Sequence, residues 1–293
     1  MTVFHGAATA LIAALLYTAA SLFLKGALER RATAAQVNVA VNVAMALIVQ
    51  PLWLLDHPGV PNAPLWQPLL CSLIFFLGQI LTFTALSRGD VSLATPLLGT
   101  KILFVTAMNA FFFQAPVSLR WWIAAVAASV SVALIAGGRR SRTHALGFTV
   151  ACSLAAAACY SLTDVLIQHW GDHFDSAAFP PVMFGAAGVI SVIFYSLQDR
   201  TAFRPPAEAR PMLALGALFF GTQIVLFFFS LVWTRDATLA NVVYSSRTVW
   251  SVAAAWTAGH FLGLRDVEAG PGVMQRRLFG AFLLFGAIIL ILL

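Results

Sequence analysis

Lys101 stands near the middle of the apolar run 91–113, and Arg247 near the middle of the apolar run 237–262. A cation at the centre of a membrane helix costs roughly 2.5–3.5 kcal/mol on insertion scales. Such a group has to be paired, hydrated or offered an anion. Only one acid, Asp164, lies well inside an apolar run. The chemistry this points to is anion recognition. The planar fork of Arg suits carboxylate or phosphate bidentately, and Lys acts as a point charge. The structural alternative is that one of the two pairs with Asp164 or with backbone carbonyls. Asp164 is expected to serve as a counter-ion to Arg247 or as a near-interface group, with carriage of a coupling proton as the other reading.

Other polar groups extend the patch. Asn241, Tyr244 and Trp250 lie near the face of Arg247 at helical spacing. Gln79 and Gln223 fall near mid-run, and a buried amide needs a partner from a neighbouring helix or from a ligand. Asn38 and Asn42 are one turn apart. The hydroxyls of Tyr17 and Tyr160 need partners if buried. Pro96, whose ring removes a backbone hydrogen bond, and Gly99 form a candidate hinge just before Lys101. No HExxH, GxSxG, glycine-lysine phosphate loop or metal-spaced His/Cys cluster occurs. No enzymatic activity, cofactor or metal is expected. Cys71, Cys152 and Cys159 sit inside apolar runs without CxxC spacing and read as small buried hydrophobes.

These residues must be positioned by membrane helices. The chain has 293 residues, is 60% hydrophobic and 10% charged, and has a mean hydropathy of +0.88. A soluble domain carries about 25% charged residues. About 20 apolar residues cross a hydrocarbon core, and on that criterion the runs are 6–25, 34–55, 65–86, 91–113, 119–138, 146–169, 177–197, 211–233, 237–262 and 275–293. Lipid offers no partner to backbone groups, so these runs are expected to be ten helices. Their connectors are strongly biased. Thirteen Lys and Arg fall on one face and only Arg120 and Arg235 on the other. The first face is therefore expected in the cytoplasm and both termini outside. The net charge of +6 lies in short loops and is no nucleic-acid footprint.

The chain also repeats itself at about 143–146 residues. Segment 14–25 runs alongside 157–168, pairing Tyr17 with Tyr160, Ser21 with Asp164 and Lys25 with Gln168. Segment 75–81 runs alongside 219–225, pairing Gln79 with Gln223, and 89–104 alongside 235–250, pairing Asp90 with Asp236 and Lys101 with Arg247. Five runs per half turn the second half upside down. Residues 1–140 and 141–293 are thus expected to be inverted five-helix repeats around a midplane site. At 1.5 Å per residue, each cation descends roughly 15 Å from opposite surfaces.

Ten helices, five-plus-five inverted halves and the pattern SLATPLL at 92–98 resemble the drug/metabolite transporter superfamily, EamA-type branch, over essentially the whole chain. Many of its members carry a Gly-Glu pair after the fourth and ninth spans. Here those places read FFQAP (112–116) and FLGLRD (261–266), a departure from the pattern. The sugar-phosphate and nucleotide-sugar branches place basic residues on the same two helices, similar to Lys101 and Arg247. The resemblance implies a gradient-driven secondary transporter in the bacterial inner membrane, monomeric or homodimeric. With the buried cations it implies a small carboxylate- or phosphate-bearing anion or zwitterion as substrate. Two rivals are a proton-coupled exporter of cationic or amphipathic compounds using Asp164, and a flippase or non-transporting membrane protein.

Overall fold

The computed structural model describes residues 2–54, 64–88, 97–112, 114, 118–136, 146–171, 178–198, 200–250, 253–254 and 271–292. Among them the fold is helical, with ten α-helices of eight or more residues. These are α1 (Thr2–Glu29), α2 (Ala34–Val49), α3 (Trp66–Arg88), α4 (Lys101–Phe111), α5 (Leu119–Ala136), α6 (Leu146–Trp170), α7 (Phe179–Gln198), α8 (Arg210–Thr234), α9 (Ala237–Tyr244) and α10 (Pro271–Leu292). Each corresponds in order to one of the ten expected runs. Five stretches, Val3–Glu29, Ala34–Leu54, Gly147–Trp170, Phe179–Gln198 and Ala207–Thr234, are long and apolar enough to cross a membrane. Trp66–Thr82, Leu97–Phe111 and Leu119–Ile135 are shorter apolar helices.

Local chemistry sets the helix ends. Thr33 opens α2 with a capping box: its hydroxyl accepts from Gln36 N at 3.2 Å, and Gln36 Oε1 accepts from Thr33 N at 2.9 Å. Gln36 also ties this end to the connector before α8, donating to Thr201 O and Arg204 O. Arg235 takes a left-handed φ of 52° and ends α8. Asp236 then caps α9, its Oδ1 accepting from Leu239 N at 3.0 Å. Burial pushes the Asp236 carboxyl up to about 6, against the lowering effect of the Leu239 and Thr238 amides.

Packing follows side-chain size. The most extensive helix pair is α1 with α8. Gly216 lets α8 approach α1, since a Cβ there would meet Leu24 Cγ at 2.7 Å and its backbone N at 3.0 Å. The other well-packed pairs include α5 with α10, α3 with α6, α2 with α7 and α8, α3 with α7, α4 with α6, and α1 with α9. The main apolar core is aromatic around α7 and α8. Phe179, Phe184 and Phe228 are essentially buried, with ring centroids 5.5 Å apart for Phe179–Phe228 and 6.4 Å for Phe184–Phe228. Cys71 and Cys152 are buried and Cys159 half-buried, as small apolar side chains among helices.

Candidate functional site

Lys101 and Arg247 line one cavity of about 310 Å³ enclosed by α1, α2, α3, α4, α6, α8 and α9. Tyr17, Gln79, Tyr160, Asp164, Gln223 and Tyr244, all singled out by sequence, share it. Asn38 lines it too. Asn42, Asn241 and Trp250 are not on the lining. Asn42 and Asn241 stand directly behind it through hydrogen bonds, and half-buried Trp250 packs against the apolar core.

Each cation follows a break in its helix. Before Lys101 the backbone turns, with Thr100 N bonded to Leu97 O at 3.1 Å and Leu103 N to Thr100 O at 2.9 Å. Before Arg247, Ser245 and Ser246 do the same, with Ser246 N bonded to Val243 O at 3.1 Å and Val249 N to Ser246 O at 2.9 Å. A tight turn of this type inside a longer helical run is a common hinge geometry. It frees carbonyls that side chains then take up. Ser161 Oγ donates to Lys101 O at 2.8 Å, and Thr18 Oγ1 makes the corresponding long contact to Arg247 O at 3.5 Å. Of the hinge residues proposed from sequence, Pro96 lies outside the described residues. Gly99 is in the turn, where a Cβ would collide with Val132 of α5. Its small size is demanded by that contact.

Around Lys101 the charge is balanced. Its Nζ lies 2.6 Å from Asp164 Oδ2, with the two side chains 16% and 8% exposed. Asp164 therefore pairs with Lys101 and not with Arg247, the partner expected first. The reason is placement: α4 packs along α6 and delivers Lys101 to that carboxylate. Asn241 Nδ2 donates to the same Oδ2 at 2.7 Å and also to Ala237 O at 2.9 Å. The ammonium also sits 5.3 Å from the Phe227 ring centroid and 5.9 Å from that of Tyr160.

Around Arg247 no acid is within ion-pair distance among the described residues. Its guanidinium is instead held between two rings, 4.3 Å from the centroid of Tyr17 and 4.4 Å from that of Tyr244. Such cation–π contacts contribute about 0.5–2 kcal/mol each. Arg247 Nη1 donates to Tyr244 Oη at 3.1 Å, and Tyr244 Oη donates onward to Gln223 Oε1 at 2.8 Å. Gln223 is fully buried, and its Nε2 has no hydrogen-bond partner among the described residues. The other repeat-related amide is saturated at its oxygen: Gln79 Oε1 accepts from Asn42 Nδ2 at 2.8 Å and from Asn38 Nδ2 at 3.3 Å.

Several lining residues escaped the sequence reading. Phe75, Phe220 and Phe227 line the cavity, and nothing distinguishes them among 24 phenylalanines. Thr82, whose hydroxyl donates to Tyr160 Oη at 3.2 Å, is equally anonymous. Thr18 and Ser161, which stand behind the lining and bond the carbonyls of Arg247 and Lys101, had a signal, since they follow Tyr17 and Tyr160 in the aligned segments.

Apolar helices packed around a cavity lined by charged groups are a plan common among membrane transport proteins. The EamA-like transporter family matches residues 4–137, the span of α1 to α5. An uncharacterized transporter of Archaeoglobus fulgidus is 29% identical over 120 residues, 40% of this chain and 43% of that relative. The chain thus spans less than half the length of that curated relative. A crystal structure titled only as that of a protein shares the fold, with TM-score 0.78 at 15% identity, over 97% of this chain and 95% of that one. The match over residues 4–137 and the curated relative agree with the resemblance to the drug/metabolite transporter superfamily drawn from the sequence. The chain's apolar helices and this match support a multi-pass helical membrane protein.

Proposed function

We propose that the chain is a secondary transporter of a small organic anion, working by alternating access between the inverted halves 1–140 and 141–293. The observation that carries this reading is that Lys101 and Arg247, distant in sequence, line one cavity. The lining holds two cations and one acid, so it attracts anions and disfavours a cationic cargo.

The packing supports the repeat. Exchanging α1–α5 for α6–α10 turns the pair α1·α8 into α3·α6, α2·α8 into α3·α7, and α1·α9 into α4·α6, while α2·α7 and α5·α10 map onto themselves. The paired contacts of Ser161 with Lys101 and Thr18 with Arg247 obey the same exchange. The cavity reaches Leu24, Val37 and Phe220, towards the arginine-rich connectors, while the buried Phe179–Phe184–Phe228 cluster closes the other direction. With those connectors in the cytoplasm and both termini outside, the conformation is inward-facing. The turns before Lys101 and Arg247 are the points about which each half bends.

The test is counterflow in proteoliposomes over a panel of radiolabelled carboxylates and phosphate esters. Wild-type protein exchanges at least one of them, and Lys101→Ala and Arg247→Ala insert normally but exchange none. Undiminished exchange by both variants overturns the reading. If no anion exchanges or stabilises the detergent-solubilised protein while cationic amphipaths or lipids do, the exporter and flippase readings replace it.

A further inference from the structure

We propose that the cavity selects a single negative charge: a monocarboxylate with an apolar or aromatic body, held at Arg247 and Gln223, while Lys101 remains with Asp164. This rests on the transport reading for the identity of the cavity as the substrate site, and goes beyond it in assigning charge and roles.

The argument starts from the asymmetry of the repeat. Asp164 and Ser21 occupy matching places on α6 and α1. On α6 the acid reaches Lys101 at 2.6 Å and cancels its charge. On α1 the matching position is a serine, whose hydroxyl turns back to Thr18 O at 2.8 Å. Ser21 lies one turn from Tyr17 and Thr18, the α1 residues that meet Arg247. Arg247 therefore keeps its charge, and the lining carries one net positive charge.

The same end of the cavity has donors to spare. A guanidinium offers five N–H groups in a fixed fork, and one of them goes to Tyr244 Oη. Gln223 Nε2 is a fully buried donor without an acceptor among the described residues. Tyr244 joins the two, donating to the Gln223 oxygen and thereby orienting the amide with its NH₂ away from that bond. Arg247 and Gln223, both bonded to Tyr244 Oη, together offer the two donors that a carboxylate's two oxygens require.

Charge and volume limit the rest of the ligand. A second negative charge would have to draw Lys101 from Asp164 and leave that carboxylate buried and unpaired, a heavy loss. A ligand ammonium would meet an Asp164 already engaged by Lys101 and Asn241. The remaining lining is mostly apolar, with the rings of Tyr17, Phe75, Tyr160, Phe220 and Phe227 its largest surfaces and Asn38, Gln79 and Thr82 its polar members. A volume of about 310 Å³ holds roughly ten waters, the size of a single-ring acid.

The experiment is a titration of the purified full-length protein in detergent with four probes of like body and different charge: 3-phenylpropanoate, phenylsuccinate, phenylalanine and 2-phenylethylamine. Titration calorimetry should find 3-phenylpropanoate bound about tenfold or more tighter than the dianion, the zwitterion and the cation, the scale of one uncompensated charge in a partly buried site. Asp164→Asn releases Lys101, so the gap between monoanion and dianion should narrow or reverse. Ser21→Asp supplies Arg247 with the acid it lacks, and should abolish binding of 3-phenylpropanoate. The Ser21 variant keeps the assignment testable if Asp164→Asn does not fold. Tighter binding of phenylsuccinate to wild type, an unchanged order in Asp164→Asn, or unweakened binding in Ser21→Asp overturns the assignment while leaving an anion transporter standing. Failure of every carboxylate to bind overturns the assignment, and binding of 2-phenylethylamine alone overturns both.

Discussion

Lys101 Nζ lies 2.6 Å from Asp164 Oδ2, and Asn241 fixes the same oxygen from α9 at 2.7 Å. One ion pair thus joins three helices, α4, α6 and α9, two from the second half and one from the first. A buried pair of this type gives little net stability, yet losing one member is severe, because the other charge is left unpaired.

Asp164→Ala is therefore expected to lower stability by about 3–5 kcal/mol. The double variant Lys101→Met with Asp164→Leu should regain most of that loss, since it removes both charges. Thermal unfolding in detergent, followed by circular dichroism, provides the comparison. A double variant as unstable as Asp164→Ala would show that the ion pair is not the cause.

Arg247→Lys keeps the charge but loses the flat guanidinium stacked between Tyr17 and Tyr244. Lys and Arg are not interchangeable at a stacked site. Counterflow should fall by about tenfold or more, the equivalent of about 1.4 kcal/mol, with expression and insertion preserved. Flux equal to wild type would mean that charge alone suffices.

Tyr244→Phe removes one hydroxyl and retains the ring. It strips Arg247 of an acceptor and Gln223 Oε1 of a donor. Leaving buried groups unsatisfied costs about 1–3 kcal/mol. The expected outcome is a lower unfolding temperature together with weaker anion binding. A loss of stability without loss of binding would assign the hydroxyl a packing role only.

Asp236 gives a pH dependence of definite sign. Its carboxyl is raised from 3.8 to about 6 by burial, so between those values the folded chain holds a proton that the unfolded chain has released. This group's contribution therefore weakens as pH rises from about 4 to about 6, and levels off above. Asp236→Asn keeps a side-chain cap and should flatten that part of the profile, while Asp236→Ala loses about 0.5–2 kcal/mol at any pH. Unfolding temperatures between pH 4 and 8 would show it. An identical slope in Asp236→Asn would exclude this carboxyl as its origin.

Much of the site was legible because a charge in an apolar run is conspicuous on energetic grounds alone. Lys101, Arg247 and Asp164 announced themselves in that way, and the repeat added Tyr17, Tyr160, Gln79 and Gln223. All seven line the cavity. Helical spacing was less reliable. It grouped Asn241 with Arg247 as though α9 were continuous, but the turn at Ser245–Ser246 lies between them and changes the phase. Asn241 consequently bonds Asp164, while Trp250, beyond the turn with Arg247, packs against the core. The phenylalanine walls were invisible, since in a chain this apolar an aromatic residue carries no positional signal.

The sequence by itself determined that the chain is helical and membrane-embedded, because apolar length and the absence of charge admit little else. It also determined which few polar groups must be explained. Which cation receives the single buried acid was decided only by tertiary structure. Asp164 is far from both Lys101 and Arg247 along the chain, and ion pairing at 2.6 Å depends on which helices touch. The packing of α4 along α6 gave the acid to Lys101 and left Arg247 between two tyrosines. Contact range is the physical reason: hydropathy accumulates along a segment, whereas a buried charge answers to the nearest atoms.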